Sequence, residues 1–234
     1  VAIGNYEASR QLTHKVILQA LKQFPDLRPL PMVVLEGNTA SQANAQRLLG
    51  MFDALVGYKD QVEIRQIFRT RYDPEHAYNA ILTAGQRYPE MKIIWAANDA
   101  MALRAADAAR ETERIPGKDL LITGFDMLPE TRDKITSGTL FDSFGGHYMS
   151  AAWALVYLDD FLNQAVAPYR VLHIPLQSGQ QDFRLKIPGP STDRWVTPAE
   201  DFSNIDFSLY SKHHLKPREE ASSRRYIFEV SNTP

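Results

Sequence analysis

The sequence predicts an α/β fold in which a mostly parallel sheet lies between two layers of helices, a three-layer α/β/α arrangement. First, short apolar runs alternate with longer segments of helical periodicity up to about residue 176. Second, several runs are continuously apolar, as at residues 93–97, which is typical of strands buried on both faces. Third, proline follows helical patterns at positions 25, 89 and 116. Such alternation closes through right-handed crossovers into a parallel sheet.

The individual elements are predicted in chain order from these runs. Strands are expected at Val1–Ile3, Met32–Leu35, Val62–Phe68, Lys92–Ala96, Leu120–Gly124, Phe141–Phe144 and Val171–Leu176. Helices are expected where apolar residues recur at helical spacing, within residues 45–56 and 77–85 and at Ala100–Arg110. A further helix, at about Tyr148–Asn163, is apolar nearly all round, which predicts burial on more than one side.

Composition excludes several classes of function. The 234 residues carry a net charge of −2 with scattered Lys and Arg, so no nucleic-acid partner is expected. There is no cysteine, which excludes disulfides, thiol nucleophiles and thiolate metal sites. The longest apolar run, Ala151–Leu158, is far shorter than the roughly 20 residues of a membrane-spanning helix. Because the sequence opens on Val1 rather than Met, we expect it to be a piece of a longer protein.

Polar residues follow the predicted strands at the points where the strands end. In a parallel sheet the carboxyl ends of the strands share one edge, and ligands bind there. Asn98 and Asp126 follow two of the buried strands, Tyr72 follows a third, and Arg47 lies on the helix after another. Amide, carboxylate and guanidinium groups bond adjacent hydroxyls in pairs, while an aromatic ring covers the apolar face of a sugar. The pattern therefore favours a neutral polyhydroxylated ligand.

Each of these residues also has a plainer structural interpretation. Asp99 is expected chiefly to cap the helix that it opens. For Asn98 the alternative is a turn residue, for Arg47 a solvated surface residue, and for Tyr72 a hydrophobic staple. Asp99 and Asp126 would be an acid–base pair without a nucleophile or orienting base, so no enzyme is expected. No metal-ligand spacing or phosphate-binding glycine loop is present, so neither a metal nor a cofactor is expected.

Two motifs resemble those of a known family. The segment Asn98–Ala102, followed by Gly124–Asp126, resembles the paired signature of periplasmic sugar-binding proteins of the ribose-binding type. The sensory domains of lac-repressor-like regulators share this signature. Other segments follow the family's order, at residues 4–7, 36–37, 47–50, 72–74 and 135–140. The resemblance covers residues 1 to about 176.

The resemblance implies a non-enzymatic receptor in the bacterial periplasm, whose two lobes close about a hinge on a small sugar-like solute. A membrane transporter or a sensor protein would recognise the closed form. The ligand-contacting positions implied are Asn5, Arg47, Tyr72, Asn98, Asp126 and His147. Gly4 departs from the family's usual Asp and Gly145–His147 from its usual polar hinge residue, which leaves the ligand class open. The alternative is an effector-sensing domain of a lac-repressor-like transcription regulator.

The resemblance also implies a division of the chain. Residues 1–145 would form the C-terminal lobe, and residues 146–176 the hinge crossing, a helix returning toward the N-terminal lobe, and a return strand. Residues 177–234 would be a C-terminal extension. Most of an N-terminal lobe would then lie outside this chain, and we expect self-association through the surface that this leaves.

Overall fold

The computed structural model describes residues 2–147, 150–165, 171–174, 176–180, 185–187, 194–196, 211 and 229–231. The chain divides into two units. The first consists of residues 5–145 and 177–181, and the second of residues 1–4, 146–176 and 182–234. The prediction of an α/β fold with a mostly parallel sheet is confirmed, and the first unit contains that sheet.

Six strands form the sheet described in the first unit. In spatial order they are β3 (Val62–Arg69), β2 (Leu30–Glu36), β4 (Ile93–Ala96), β5 (Leu121–Asp126), β6 (Asp142–Gly145) and β8 (Gln177–Ser178). The first five run parallel, and β8 runs antiparallel to β6. Every residue of β2 and β4 is buried, because helices cover both faces of these central strands.

The helices described in this unit are α1 (Asn5–Gln23), α2 (Gln42–Val56), α3 (Pro74–Arg87), α4 (Asp99–Glu111) and α5 (Pro129–Thr136). Helix α1 packs on α2, and α3 packs on α4. The strand order reverses direction after β3, so right-handed crossovers place α2 and α3 on opposite faces of the sheet. Three of the helices begin at side-chain caps, supplied by Ser41, Asp73 and Asn98.

Buried aromatic packing holds β4 against β5. The rings of Trp95 and Phe125 meet edge to face, with their centroids 5.6 Å apart. The buried face of α4 is lined largely by alanine, which lets this helix lie close to both strands. The carboxyl ends of the central strands are thereby fixed in relation to one another.

Strand β8 brings residues from beyond position 176 into the first unit. The sequence predicted an extension there without a core of its own, whereas Gln177–Ser178 completes the main sheet. The fully buried carboxylate of Asp142 anchors this strand: it forms an ion pair with Lys15 and accepts a hydrogen bond from Ser178 Oγ at 2.6 Å. Lys15 Nζ also lies 2.7 Å from Ser178 Oγ. Three residues far apart in sequence, Lys15, Asp142 and Ser178, therefore share one polar cluster around a buried carboxylate.

The second unit has its own strands. Strands β1 (Ala2–Ile3), β7 (Val171–Ile174) and β11 (Glu229–Ser231) form one sheet, while β9 (Leu185–Ile187) and β10 (Arg194–Val196) pair antiparallel. Helix α6 (Ser150–Leu162) exposes four large apolar side chains, those of Leu155, Leu158, Phe161 and Leu162. Of the helices in the described ranges, none has the length and apolar character needed to cross a membrane.

Candidate functional site

The carboxyl ends of β4 and β5 lie side by side and present two of the predicted site residues. Asn98 directly follows Ala97 at the end of β4, and Asp126 is the last residue of β5. Asn98 is half-buried, and its Oδ1 accepts a hydrogen bond from the backbone N–H of Met101 at 3.0 Å. Its amide N–H₂ group is not used in that cap. Asn98 therefore combines a structural role with a donor at the edge of the sheet.

Arg47 is a buried residue that bonds to several elements at this edge. The residue is only 5% exposed, so the alternative of a solvated surface arginine does not hold. Its Nε donates to Asn5 Oδ1 at 2.8 Å and its Nη1 to the Ala97 carbonyl at 2.6 Å. Its Nη2 lies 3.2 Å from Asp126 Oδ1. The guanidinium also lies 4.7 Å from the ring centroid of Phe125, a cation–π arrangement. A single planar cation thus ties α1, α2, β4 and β5 together.

The backbone at the end of β5 is strained. Asp126 has φ 113° and Met127 has φ 59°, both in the region that non-glycine residues rarely adopt. Such conformations cost about 1–3 kcal/mol each and concentrate at binding sites. The conformation leaves the Asp126 side chain 27% exposed while it contacts Arg47. The carboxylate is therefore fixed in direction and still accessible.

Asp99 lies directly beneath this strained turn. Its Oδ2 accepts a hydrogen bond from the backbone N–H of Leu128 at 2.9 Å, and its Oδ1 accepts one from Ser143 Oγ at 2.6 Å. Burial raises the pKa of Asp99 to about 7, although these two bonds oppose the shift. The prediction that Asp99 caps its helix is wrong: Asn98 supplies the cap, and the Asp99 side chain turns into the sheet. Gly124 makes room for it, because a Cβ there would collide with the carboxylate.

Tyr72 lies beside the carboxyl end of β2. It follows β3 in a left-handed conformation, with φ 65°, and its ring packs against Gly37, where a Cβ would collide with it. The backbone N–H of Gly37 donates to Asn44 Oδ1 at 2.8 Å, so α2 also fixes this turn. Asp73 caps α3 through the N–H of His76 at 2.9 Å. The aromatic ring is therefore held at the same edge of the sheet as Asn98 and Asp126.

The structure brings five of the six predicted residues to one edge of the first unit. Asn5, Arg47 and Asp126 are bonded together, Asn98 adjoins them through the Ala97 carbonyl, and Tyr72 lies two strands away on the sheet. His147 belongs to the second unit and stays a prediction.

Sequence reasoning missed two contributors, Phe125 beneath Arg47 and Asn44 behind Gly37. The sequence position of Asn44 gave no indication that it bonds to Gly37. Phe125 lies within the Gly124–Asp126 motif, but nothing in that motif indicated that its ring packs against an arginine. Within the described portion of the chain, no group of three His, Asp or Glu residues could hold a metal ion.

The fold is an open parallel α/β sheet with polar side chains converging beyond the strand ends, which is where sheets of this class bind ligands. The family model described as periplasmic binding protein domain matches residues 1–162. The chain belongs to the periplasmic binding protein family. Members of this family bind solutes and are not enzymes, so the prediction of a non-enzymatic module is confirmed. None of the curated proteins matches the sequence significantly.

Solved structures of similar fold agree with this assignment. A periplasmic sugar-binding protein from Pseudomonas fluorescens is 30% identical with a TM-score of 0.66, covering 85% of this chain and 56% of its own. A periplasmic solute-binding protein of an ABC transporter from Actinobacillus succinogenes, with bound D-allose, is 22% identical with a TM-score of 0.66, covering 76% and 60%. The fructose-binding periplasmic domain of a hybrid two-component system is 20% identical with a TM-score of 0.63, covering 76% and 56%. The chain thus spans little more than half the length of these structures.

Proposed function

We propose that the chain binds a sugar or a sugar-like solute as part of a bacterial periplasmic receptor that works by hinge closure. The similar structures supporting this proposal include a periplasmic sugar-binding protein and a protein with bound D-allose. From the first unit the ligand would contact Asn98, Asp126 and Tyr72. His147, in the second unit, is proposed as a ligand contact on the family resemblance alone. Arg47 and Asn5 would act mainly by holding Asp126 and the adjacent strand end in place.

One observation carries the proposal: the Asp126 carboxylate is both immobilised and accessible. Arg47 fixes it, the turn that follows is fixed by Asp99, and more than a quarter of the side chain stays open at the strand edge. A pre-fixed carboxylate can accept hydrogen bonds from two neighbouring hydroxyls without an ordering cost. The Asn98 amide beside it can donate to a ring oxygen or hydroxyl, and the Tyr72 ring offers an apolar face for the sugar's C–H groups.

Binding would be coupled to closure through contacts made to both lobes at once. A ligand shifts a conformational equilibrium only by its difference in affinity for the two states. The edge in the first unit provides one set of contacts, and closure would add those of the opposing lobe. A ligand held from both sides therefore favours the closed form.

The test is calorimetric titration of the protein with a panel of aldoses and ketoses in pyranose and furanose forms, including D-allose and D-fructose. We expect one or more sugars to bind and Asp126→Asn to weaken that binding at least about tenfold. The matched control is Asp60→Asn. This aspartate is exposed and lies just before β3, at the amino end of that strand, so the substitution should leave the sugar affinity unchanged. Unaltered affinity in Asp126→Asn would contradict the proposed site.

The protein that recognises the closed form is proposed to be a membrane transporter or a membrane sensor. Similar structures include one of each kind, an ABC transporter component and a domain of a two-component system. Deleting the encoding gene and following uptake of the labelled sugar, alongside sugar-induced transcription, separates the two. Loss of uptake indicates the transporter, and loss of induction with intact uptake indicates the sensor.

A further inference from the structure

A groove of about 500 Å³ runs between helices α1 and α2 of the first unit. Its lining residues are Arg10, Gln11 and His14 on α1, and Asp53, Ala54, Gly57 and Tyr58 on or just after α2. The volume falls within the range of small-molecule sites. At a rise of about 1.5 Å per residue, His14 lies about 13 Å along α1 from Asn5, so the α1–α2 groove is separate from the site at the strand ends.

The groove exists because small residues follow the point where the two helices touch. They are in contact at Gly50, where a Cβ would collide with the α1 backbone. Beyond this point α2 presents Ala54 and then Gly57, which have little or no side chain to fill the space. A flat ligand can therefore approach the backbone of α2 closely.

Tyr58 and His14 join the end of α2 to α1 within the groove. The Tyr58 hydroxyl lies 2.6 Å from His14 Nδ1, and the ring centroids are 5.5 Å apart. Burial raises the pKa of Tyr58, so its hydroxyl keeps its proton and donates to Nδ1. The neutral imidazole then carries its proton on Nε2. The pair thus supplies an aromatic surface and one N–H donor.

Asp53 supplies an oriented acceptor on the opposite wall. Its Oδ2 accepts a hydrogen bond from the Tyr6 hydroxyl. This bond raises the pKa of Tyr6, so the phenol remains the donor. Asp53 is exposed, and a carboxylate has lone pairs for several donors, so Oδ1 can accept from a ligand.

Arg10 and Gln11 supply the remaining polar groups. Arg10 Nε and Nη2 each lie 3.3 Å from Glu7 Oε2, which directs the guanidinium and leaves Nη1 available. Gln11 is exposed and forms no hydrogen bond with any other residue in the described part of the chain. Its amide can therefore both donate to a ligand and accept from it.

We propose that the α1–α2 groove is a second carbohydrate site, which takes one neutral sugar ring independently of the site at the strand ends. Carboxylate, guanidinium and amide groups bond adjacent hydroxyls in pairs, and the Tyr58 ring covers the apolar face of a sugar. Asp53, Arg10 and His14 are each directed by a partner within the protein while one polar atom stays available. The cost of ordering these side chains on binding is therefore small.

The charges in the groove favour a neutral ligand. The seven lining residues include one arginine and one aspartate, so their net charge is zero with His14 neutral. An anion would be attracted by Arg10 and repelled by Asp53, and a cation the reverse. Hydroxyl groups can bond to both side chains without either penalty. A zwitterion, by contrast, would have to compete with Glu7 for the Arg10 guanidinium.

The test is a ¹H–¹⁵N NMR titration of the 234-residue chain with D-glucose, D-galactose and D-mannose. Each is taken to about 50 mM, which detects millimolar dissociation constants. We expect the backbone signals of Ala54 and Tyr58 to shift with at least one hexose. Glycine, the zwitterionic probe, should leave them in place. Gly57→Leu should abolish the hexose shifts, because its side chain fills the groove while the right-handed backbone, with φ −73°, accommodates it.

Three further variants test the individual contacts. Asp53→Asn should weaken hexose binding at least about tenfold, and Gln11→Ala at least about threefold. The matched control is Gln86→Ala, at an exposed glutamine on α3, which should leave the affinity unchanged. The proposal is overturned if no hexose shifts the two signals, or if glycine shifts them equally. Binding that survives Gly57→Leu, or that Gln86→Ala weakens as much as Gln11→Ala, also overturns it.

The same titration keeps this proposal distinct from the proposed function. Sugar binding at the strand ends with unshifted groove signals overturns the second site alone. Shifts at Ala54 and Tyr58 without binding at the strand ends support the second site and contradict the first. Groove shifts that disappear in Asp126→Asn would arise from a ligand at the strand ends, and this result would overturn the second site.

Discussion

Nη2 of Arg47 lies 3.2 Å from Oδ1 of Asp126, and this contact joins a helix to the end of a strand 79 residues further along the chain. The other guanidinium nitrogens bond to Asn5 and to the Ala97 carbonyl. The partners occupy three different elements, and the arginine is almost wholly buried. The geometry of the binding edge therefore depends on one side chain that scarcely reaches solvent.

Arg47→Lys is predicted to destabilise the first unit by about 2–4 kcal/mol, because an ammonium cannot satisfy three partners in one plane and leaves buried acceptors unpaired. Urea denaturation followed by circular dichroism measures this free energy of unfolding. The matched control is Arg110→Lys, at an exposed arginine on α4 that pairs with Asp107, where we expect a change below about 1 kcal/mol. Equal effects in the two variants would contradict the organising role of Arg47.

Asn98 variants should separate helix capping from sugar binding. Asn98→Ser keeps a capping oxygen but loses the amide, so stability should change by less than about 0.5 kcal/mol while sugar affinity falls about tenfold. Asn98→Ala should lose both, with a stability cost of about 1 kcal/mol. Ser41→Ala, which removes the cap of α2, is the control and should lower stability alone. Affinity that follows stability across all three variants would refute a contact between Asn98 and the ligand.

The free energy of unfolding should depend on pH because Asp99 ionises at a different pH in the folded and unfolded states. Its pKa is raised from 3.8 to about 7, so between these values the folded protein holds a proton that the unfolded chain has released. Stability therefore falls as the pH rises through this interval and levels off above pH 7, by an amount on the order of 4 kcal/mol.

The Asp99→Asn variant isolates this effect. The asparagine can accept from Leu128 and donate to Ser143, so it imitates the protonated carboxyl. Chemical denaturation at intervals from pH 4 to 8 should show a flatter profile for the variant, and the difference from the parent protein should grow toward neutral pH. Parallel profiles would show that Asp99 ionises at the same pH in both states.

Gly37→Ala should disturb the position of the Tyr72 ring. The added Cβ meets this ring and the Asn44 amide oxygen, so we expect a loss of about 1–3 kcal/mol. In a double-mutant cycle, Tyr72→Ala should recover part of the loss because it removes the colliding ring. Gly57→Ala is the control, since its nearest neighbour would lie at 3.8 Å. Strict additivity of the Gly37 and Tyr72 changes would contradict their contact.

Features that depend on local sequence pattern, such as the central strands, were predicted from the sequence. Features that depend on contacts between residues distant in sequence became visible only in the structure. Continuous apolar runs predicted the central strands, and the rule that parallel strands end at one edge grouped Asn98 with Asp126. The burial of Arg47 was not predictable from its helix alone, where a solvated surface arginine was the alternative. Its partners come from three other elements.

The cap of α4 is supplied by Asn98 and not by Asp99, for which it was predicted. Asn98 and Asp99 are adjacent, and either can cap a helix, so spacing alone could not decide between them. The decision depends on Gly124 of the next strand, which leaves space for a buried carboxylate. The contribution of Gln177–Ser178 to the main sheet was likewise missed, because two residues carry too little periodicity to predict a strand.

Strand β8 is translated after all the other strands of the main sheet, which has a consequence for co-translational folding. Ser178 follows its partner Asp142 by 36 residues and Lys15 by 163, so the polar cluster stays incomplete while the intervening chain is being translated. At about 5–20 residues per second, the 36-residue interval alone lasts roughly 2–7 seconds. During that time the nascent chain lacks both the hydroxyl donor to Asp142 and the outer neighbour of β6. The polar cluster and the main sheet can therefore be completed only after residue 178 has been synthesised.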